Sequence, residues 1–273
     1  MIGTRSRRAV VAGRPGRTPG GSLFRRFVIL PPMPQNVPAF EFSENALKVR
    51  AFVFEFWCEH GRGPTLLEVH QGIELDRRRI IQAYKELQLG IVAVVAEDKQ
   101  NCDLLKMPPF SSFPSQVRAY IDDEFHSFVG CASEAIAFSH MPPFKDKTVR
   151  LESHCACCFT PVTLVSKNFE LQSVTPPGIF LHISLSPYDW NNVDMGRMCD
   201  SMNYVLDAEH AERYERQTAT RGVLVNLDQA KMFVQNVANE RMWNYHWAPG
   251  TLNPRAVIKG FAMMGVDVSP WGA

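Results

Sequence analysis

The chain has 273 residues, 45% of them apolar, with a formal charge of +1 and a pI near 7.6. That length suits one large domain or two small ones with a real core, and the near-neutral charge gives no bulk electrostatic pull toward nucleic acid or an anionic membrane surface. No apolar run approaches the roughly 18 residues that a membrane span needs, so no membrane association is expected.

Residues 1–40 hold seven arginines, six prolines and no acidic residue. Such a segment cannot bury a core and reads as a disordered tail. It lacks the apolar run of a secretory signal, so a cytoplasmic location is expected. Its Arg-rich, acid-poor character makes a mitochondrial location the alternative.

After a proline-rich lead-in, residues 44–59 place Leu47, Ala51, Phe54 and Trp57 at helical spacing. The Gly61–Pro64 turn follows. Thr65 with Glu68 three residues on is a capping-box pattern that starts a second helix, with Gly72 as its expected stop. Asp76 caps a third, with Ile80, Ile81, Tyr84 and Leu87 on one face and Gly90 as its stop. Residues 91–96 alternate like a strand, 97–101 form a turn, and Cys102–Met107 return as the partner strand. Three helices and a hairpin make a winged helix-turn-helix-like module over residues 41–107. Its third helix carries Arg77, Arg78 and Arg79, but the neighbouring acids Glu74, Asp76 and Glu86 leave it only weakly basic. A solvated surface is therefore expected rather than a nucleic-acid partner.

Pro108, Pro109 and Pro114 read as a linker into a second domain, residues 115–247. A helix is expected over about 129–139. Strands are expected at 149–151, 162–165, 171–174 and 180–185, and helices near 207–217 and 227–245. Strands grouped together and then followed by helices predict an α+β fold, with a mixed or antiparallel sheet flanked by helices. Residues 248–273 show little periodicity and read as a C-terminal tail.

Seven cysteines, an odd number, follow no secretory signal, so free thiols or metal ligands are expected rather than disulfides. In Gly130-Cys-Ala-Ser-Glu-Ala135, Cys131 and Glu134 share one face of a helix. In His154-Cys155-Ala156-Cys157-Cys158 the thiols are dense, but no second pair completes a tetrahedral zinc site, and a sheltered strand–turn is the plainer reading. Cys199 stands alone in its own segment. No GxSxG, GxGxxG or P-loop is present, so neither serine-hydrolase chemistry nor a nucleotide cofactor has support.

Taken in order, three segments resemble the organomercurial (alkylmercury) lyase family, over about residues 44–246. GCASEA is similar to the family's first catalytic cysteine and acid, SHCACCFTPVTL to its strand–turn, and MCDSMNYVLDAEHAERY to its second catalytic cysteine, strand and helix. The resemblance implies Cys131, Glu134 and Cys199 as catalytic residues, with Cys131 and Cys199 gripping substrate mercury. It gives Cys155 the place of a structural cysteine, with Cys157 and Cys158 as possible further thiols. Glu134 stands where the family has Asp. The implied substrate is a small organomercurial. No resident cofactor is implied: Hg(II) is substrate and product, and external thiols accept it. A lyase acting on a carbon–heteroatom bond without mercury, a non-catalytic soft-metal-binding thiol protein, and a transcription regulator remain as alternatives. His140, His154 and Trp190 are candidates to border the site.

Overall fold

The structure, a computed structural model, describes residues 41–97, 102–192, 195–234 and 253–272. The expected tail over 1–40, most of the turn at 97–101, the later part of the 227–245 helix and the start of the 248–273 segment lie outside the described residues.

Helix α1 (Glu44–His60) runs as its apolar spacing predicts and ends at Gly61, whose φ of 68° is the left-handed C-cap. No other residue fits there, because a Cβ would sit 2.1 Å from the His126 carbonyl oxygen. Helix α2 (Leu66–Ile73) opens on the Thr65–Glu68 capping box, with both reciprocal bonds made. It continues one residue past Gly72 and stops at Glu74, which takes the left-handed conformation itself. Helix α3 (Arg77–Leu89) is capped by Asp76 and stopped at Gly90. Strands β1 (Val94–Glu97) and β2 (Cys102–Met107) then pair antiparallel. The first strand starts later than its alternation suggests, since Ile91 has positive φ and the chain is still turning.

Strand β2 does not end an independent unit. It pairs with β3 (Phe110–Ser111) across Pro108–Pro109, so the residues that read as the start of a linker form a turn within one sheet. That sheet has eight strands in the order β1-β2-β3-β5-β4-β6-β7-β8, every ladder antiparallel, with β4 (Val117–Ile121), β5 (Glu124–Val129), β6 (Thr148–His154), β7 (Pro161–Lys167) and β8 (Glu170–Thr175). The β4–β5 and β7–β8 hairpins turn on two residues of positive φ, Asp122-Asp123 and Asn168-Phe169. Such turns match strand twist but are usually signalled by Asn-Gly or Asp-Gly. Without that signal, β4 and β5 are not anticipated, and the helix expected from 129 begins only at Ala132.

Helix α4 (Ala132–Phe138) follows β5 and is buried along its whole length. A second sheet, β10-β9-β11, is built from β9 (Phe180–Ile183), β10 (Met202–Val205) and β11 (Val223–Asn226), again antiparallel. Helix α5 (Met195–Asp200) leads into β10, α6 (Ala208–Thr218) follows it, and α7 (Leu227–Phe233) follows β11. Beyond the undescribed stretch, α8 (Pro254–Met263) buries Val257, Ile258 and Phe261, and Trp271 donates from Nε1 to the Ile183 carbonyl at 3.2 Å. Residues 253–272 are thus packed on the core.

The N-terminal helices join the sheet through aromatic contacts. Trp57 stacks on Phe110 at 5.3 Å, and Phe110 meets Phe138 of α4 edge-on at 5.7 Å. Buried side chains run in one cluster from α1 through the first sheet and α4 to α8. The architecture is α+β with antiparallel sheets.

Candidate functional site

The site lies where the end of β5 turns into α4. Cys131 is the N-cap of that helix, extended at φ −160°, and its sulfur accepts the Glu134 backbone N–H at 3.4 Å. This capping geometry aims the thiol back over the first turn, where the Glu134 side chain also lies. Cys199 reaches the same point from α5 and donates from Sγ to Glu134 Oε1 at 3.3 Å. One ligand atom from each of Cys131, Glu134 and Cys199 falls within 4.8 Å of the others, and all three residues are buried. This is the only such group of three among the described residues. Residues 65 positions apart meet here, which the sequence could suggest only through resemblance.

Two features explain how a glutamate fits. Gly130 precedes Cys131, and a Cβ there would stand 1.9 Å from Glu134 Oε2 and 3.6 Å from Cys199 Sγ. The missing side chain is the room that the longer acid occupies. The first turn of α4 is held in place by Tyr204 of β10, whose hydroxyl donates to the Ala132 carbonyl at 2.9 Å.

Lys106 is a site residue that the sequence reading missed. It comes from β2, is only 5% exposed, and its Nζ lies 3.9 Å from Asp200 Oδ1 and over the Phe113 ring at 5.4 Å. Burial works against its charge, but Cys199, Glu134, Asp200 and Cys131 outweigh that and hold the ammonium above the usual lysine value. The signal was present: along β2, Cys102, Leu104 and Lys106 share the buried phase of the alternation. The Cys199 thiol is pushed well above its ordinary value by its bond with Cys131, by burial and by Glu134, with Lys106 pulling the other way. The free site therefore holds Cys199 as a neutral thiol donating to the carboxylate.

The other predicted thiols are elsewhere. His154 ends β6 and packs on Phe159 at 5.3 Å; Cys155 to Cys158 form the turn into β7. Cys155 and Cys157 are buried together with Val205 and Ala211, and Cys158 is half-buried beside them. His140 follows the opposite end of α4 from Cys131, bonded to the Ile136 carbonyl and stacked near Phe169. Trp190 donates to the Leu185 carbonyl and packs on Phe233. The interactions that position these two are with those groups, not with the thiol–carboxylate cluster. All seven cysteines are free thiols.

Fold and site together define an α+β protein with a buried dithiol–carboxylate centre. Residues 110–239, the segment that carries Cys131, Glu134 and Cys199, match the family described as MerB: Alkylmercury lyase. Among solved structures, the crystal structure of the mercury-bound form of MerB2 is similar to it, with a TM-score of 0.58 and 16% identity, over 76% of this chain and 93% of that one. This likeness shows the fold. No curated protein sequence matches the chain. No helix among the described residues is long and apolar enough to cross a membrane.

Proposed function

We propose that this protein is a carbon–mercury lyase acting on small organomercurials. The observation that carries the reading is the convergence of two buried thiols and one carboxyl within 4.8 Å. Hg(II) is soft and prefers thiolate to oxygen or nitrogen ligands, and breaking its bond to carbon needs a proton delivered to that carbon.

The steps balance on these residues. Cys131 and Cys199 bind the metal of R–Hg–X, where X is a carrier thiolate. One thiol proton leaves with X as a free thiol. The other passes to Glu134, already the acceptor of the Cys199 S–H. Two sulfur ligands enrich the electron density on mercury and its carbon. Glu134 then gives its proton to the carbon, the C–Hg electron pair becomes the new C–H bond, and the hydrocarbon leaves. Hg(II) stays on the two sulfurs until external thiols exchange it away and reprotonate them. No resident cofactor is required. Lys106 offsets the negative charge that builds up as two thiolates and a carboxylate occupy one buried space.

In this reading, residues 41–107 form a winged helix-like module that covers the catalytic domain at 115–247 and lends it Lys106, rather than reading DNA. Arg77, Arg78 and Arg79 are exposed, and Arg79 pairs with Asp76. Residues 1–40 precede this unit in the sequence, residues 253–272 pack against it, and the protein works in the cytoplasm.

The test is incubation with methylmercury and excess thiol, reading methane by gas chromatography. Wild type is expected to release methane, and Glu134→Gln to lose about 100-fold or more of that rate with the fold intact. Full activity in Cys199→Ala would sink the mechanism. Mercury uptake with no methane from wild type would leave a thiol store instead.

A further inference from the structure

The turn that joins β6 to β7 carries thiols that the proposed reaction does not use. It is closed by Cys155 N–H to the Thr160 carbonyl at 2.9 Å and Phe159 N–H to the Cys155 carbonyl at 2.9 Å, with Phe159 at a positive φ of 60°. This tight loop brings the first and fourth residues of Cys155-Ala-Cys-Cys158 to one side. The two thiols influence each other's ionisation, and the amides of Cys158, Cys157 and Leu206 act on the Cys155 sulfur. Burial raises the Cys155 thiol and the peptide N–H groups oppose that rise, while Cys158 is lowered, first by its bond to Thr160. The Cys158 sulfur is 3.1 Å from the Thr160 hydroxyl. Cys155 is fully buried and Cys158 half-buried, while Phe159 beside them is 72% exposed, so the pair opens to solvent through Cys158.

We infer that Cys155 and Cys158 form a second soft-metal site, which takes a thiophilic d10 cation such as Hg(II) between two sulfurs. Two thiols bind by giving up their protons to solvent, one for each metal–sulfur bond. Zinc is a poor fit, because it wants four ligands. No third His, Cys, Asp or Glu ligand joins this pair among the described residues, and the nearby His210 is engaged by Asp207 at 2.8 Å. A cation satisfied by two sulfurs is not short of ligands here. The site is also tied to the first one. Tyr204 accepts the Ala156 N–H at 2.8 Å through its carbonyl and holds α4 through its hydroxyl. The two thiol pairs thus flank one residue of β10, and a metal released from the first has a second dithiol nearby.

The test is independent of lyase activity, because its probe is inorganic Hg(II) alone. Reduced full-length protein is equilibrated with mercuric ion in a large excess of a monothiol, so that only chelating pairs retain metal, and is weighed by native mass spectrometry. Wild type is expected to hold two Hg(II), the Cys131→Ser/Cys199→Ser variant one, Cys158→Ser one, and the three changes combined none. Cys157→Ser, a neighbour in the same turn, is expected to keep two. Far-UV circular dichroism confirms that each variant is folded. The proposal is overturned if the Cys131→Ser/Cys199→Ser variant retains no mercury, or if Cys157→Ser rather than Cys158→Ser loses one. If wild type holds two Hg(II) but makes no methane, this site stands while the lyase reading falls.

Discussion

At the scale of single residues, Gly130 and Lys106 decide how the acid and the thiols behave. Gly130→Ala would drive a methyl group into Glu134 Oε2. Displacing the proton donor by about 1 Å is expected to cost on the order of 100-fold in methane release, while circular dichroism stays native. Adding Glu134→Asp, which shortens the acid, is expected to recover part of the loss. Lys106 is the influence that lowers the Cys199 thiol against those that raise it. Lys106→Met therefore lifts that thiol further, and metal capture requires higher pH. The acid limb of the pH–rate profile should move upward, with the rate at pH 7 falling about tenfold for every pH unit that the limb moves, and the difference from wild type should close at alkaline pH. Lys106→Arg keeps the charge and should restore most of the rate. A profile unmoved in Lys106→Met would show that the ammonium plays no part in ionising the pair. Lys106 was legible in the strand alternation, as a charge in the buried phase of β2. Gly130 was not, because its role depends on a side chain folded back from the next helical turn.

Among the elements, α4 matters most, because its first turn holds two of the three reactive groups. Seven residues make a short helix of little intrinsic stability, so its position is set by contacts. Tyr204→Phe removes only the hydrogen bond to Ala132. It is expected to lower stability by about 1 kcal/mol in urea titration and to lower kcat more than the stability loss explains, with KM nearly unchanged. An equal fall for any variant of similar stability would reduce Tyr204 to an ordinary core residue. The N-caps of α2 and α3 were readable because Thr65 and Asp76 act locally. Strands β4 and β5 were not, since Asp122-Asp123 turns without glycine, and β10 and β11 gave only four residues each.

Over the whole molecule, the N-terminal helices and the site share one core. Trp57 touches no reactive group, yet it stacks on Phe110, which meets Phe138 at the end of α4. Trp57→Ala is expected to destabilise by about 3–5 kcal/mol and to lower both the melting temperature and activity, in one cooperative transition. Two separate transitions in calorimetry, with activity following only the second, would show that residues 41–107 fold apart from the site.

The sequence by itself determined the helices with strong caps, the α+β class and the chemistry of the residues, because capping, periodicity and thiol softness are local properties. It also carried the order of three motifs that resemble the alkylmercury lyase family. Only the tertiary structure decided that Cys131, Glu134 and Cys199 meet, that Lys106 joins them from the N-terminal hairpin, that residues 108–109 turn within one sheet, and that residues 253–272 pack as a helix on the core. Those outcomes rest on contacts between segments far apart in the chain, and no spacing along the sequence encodes the direction in which a buried side chain finally points.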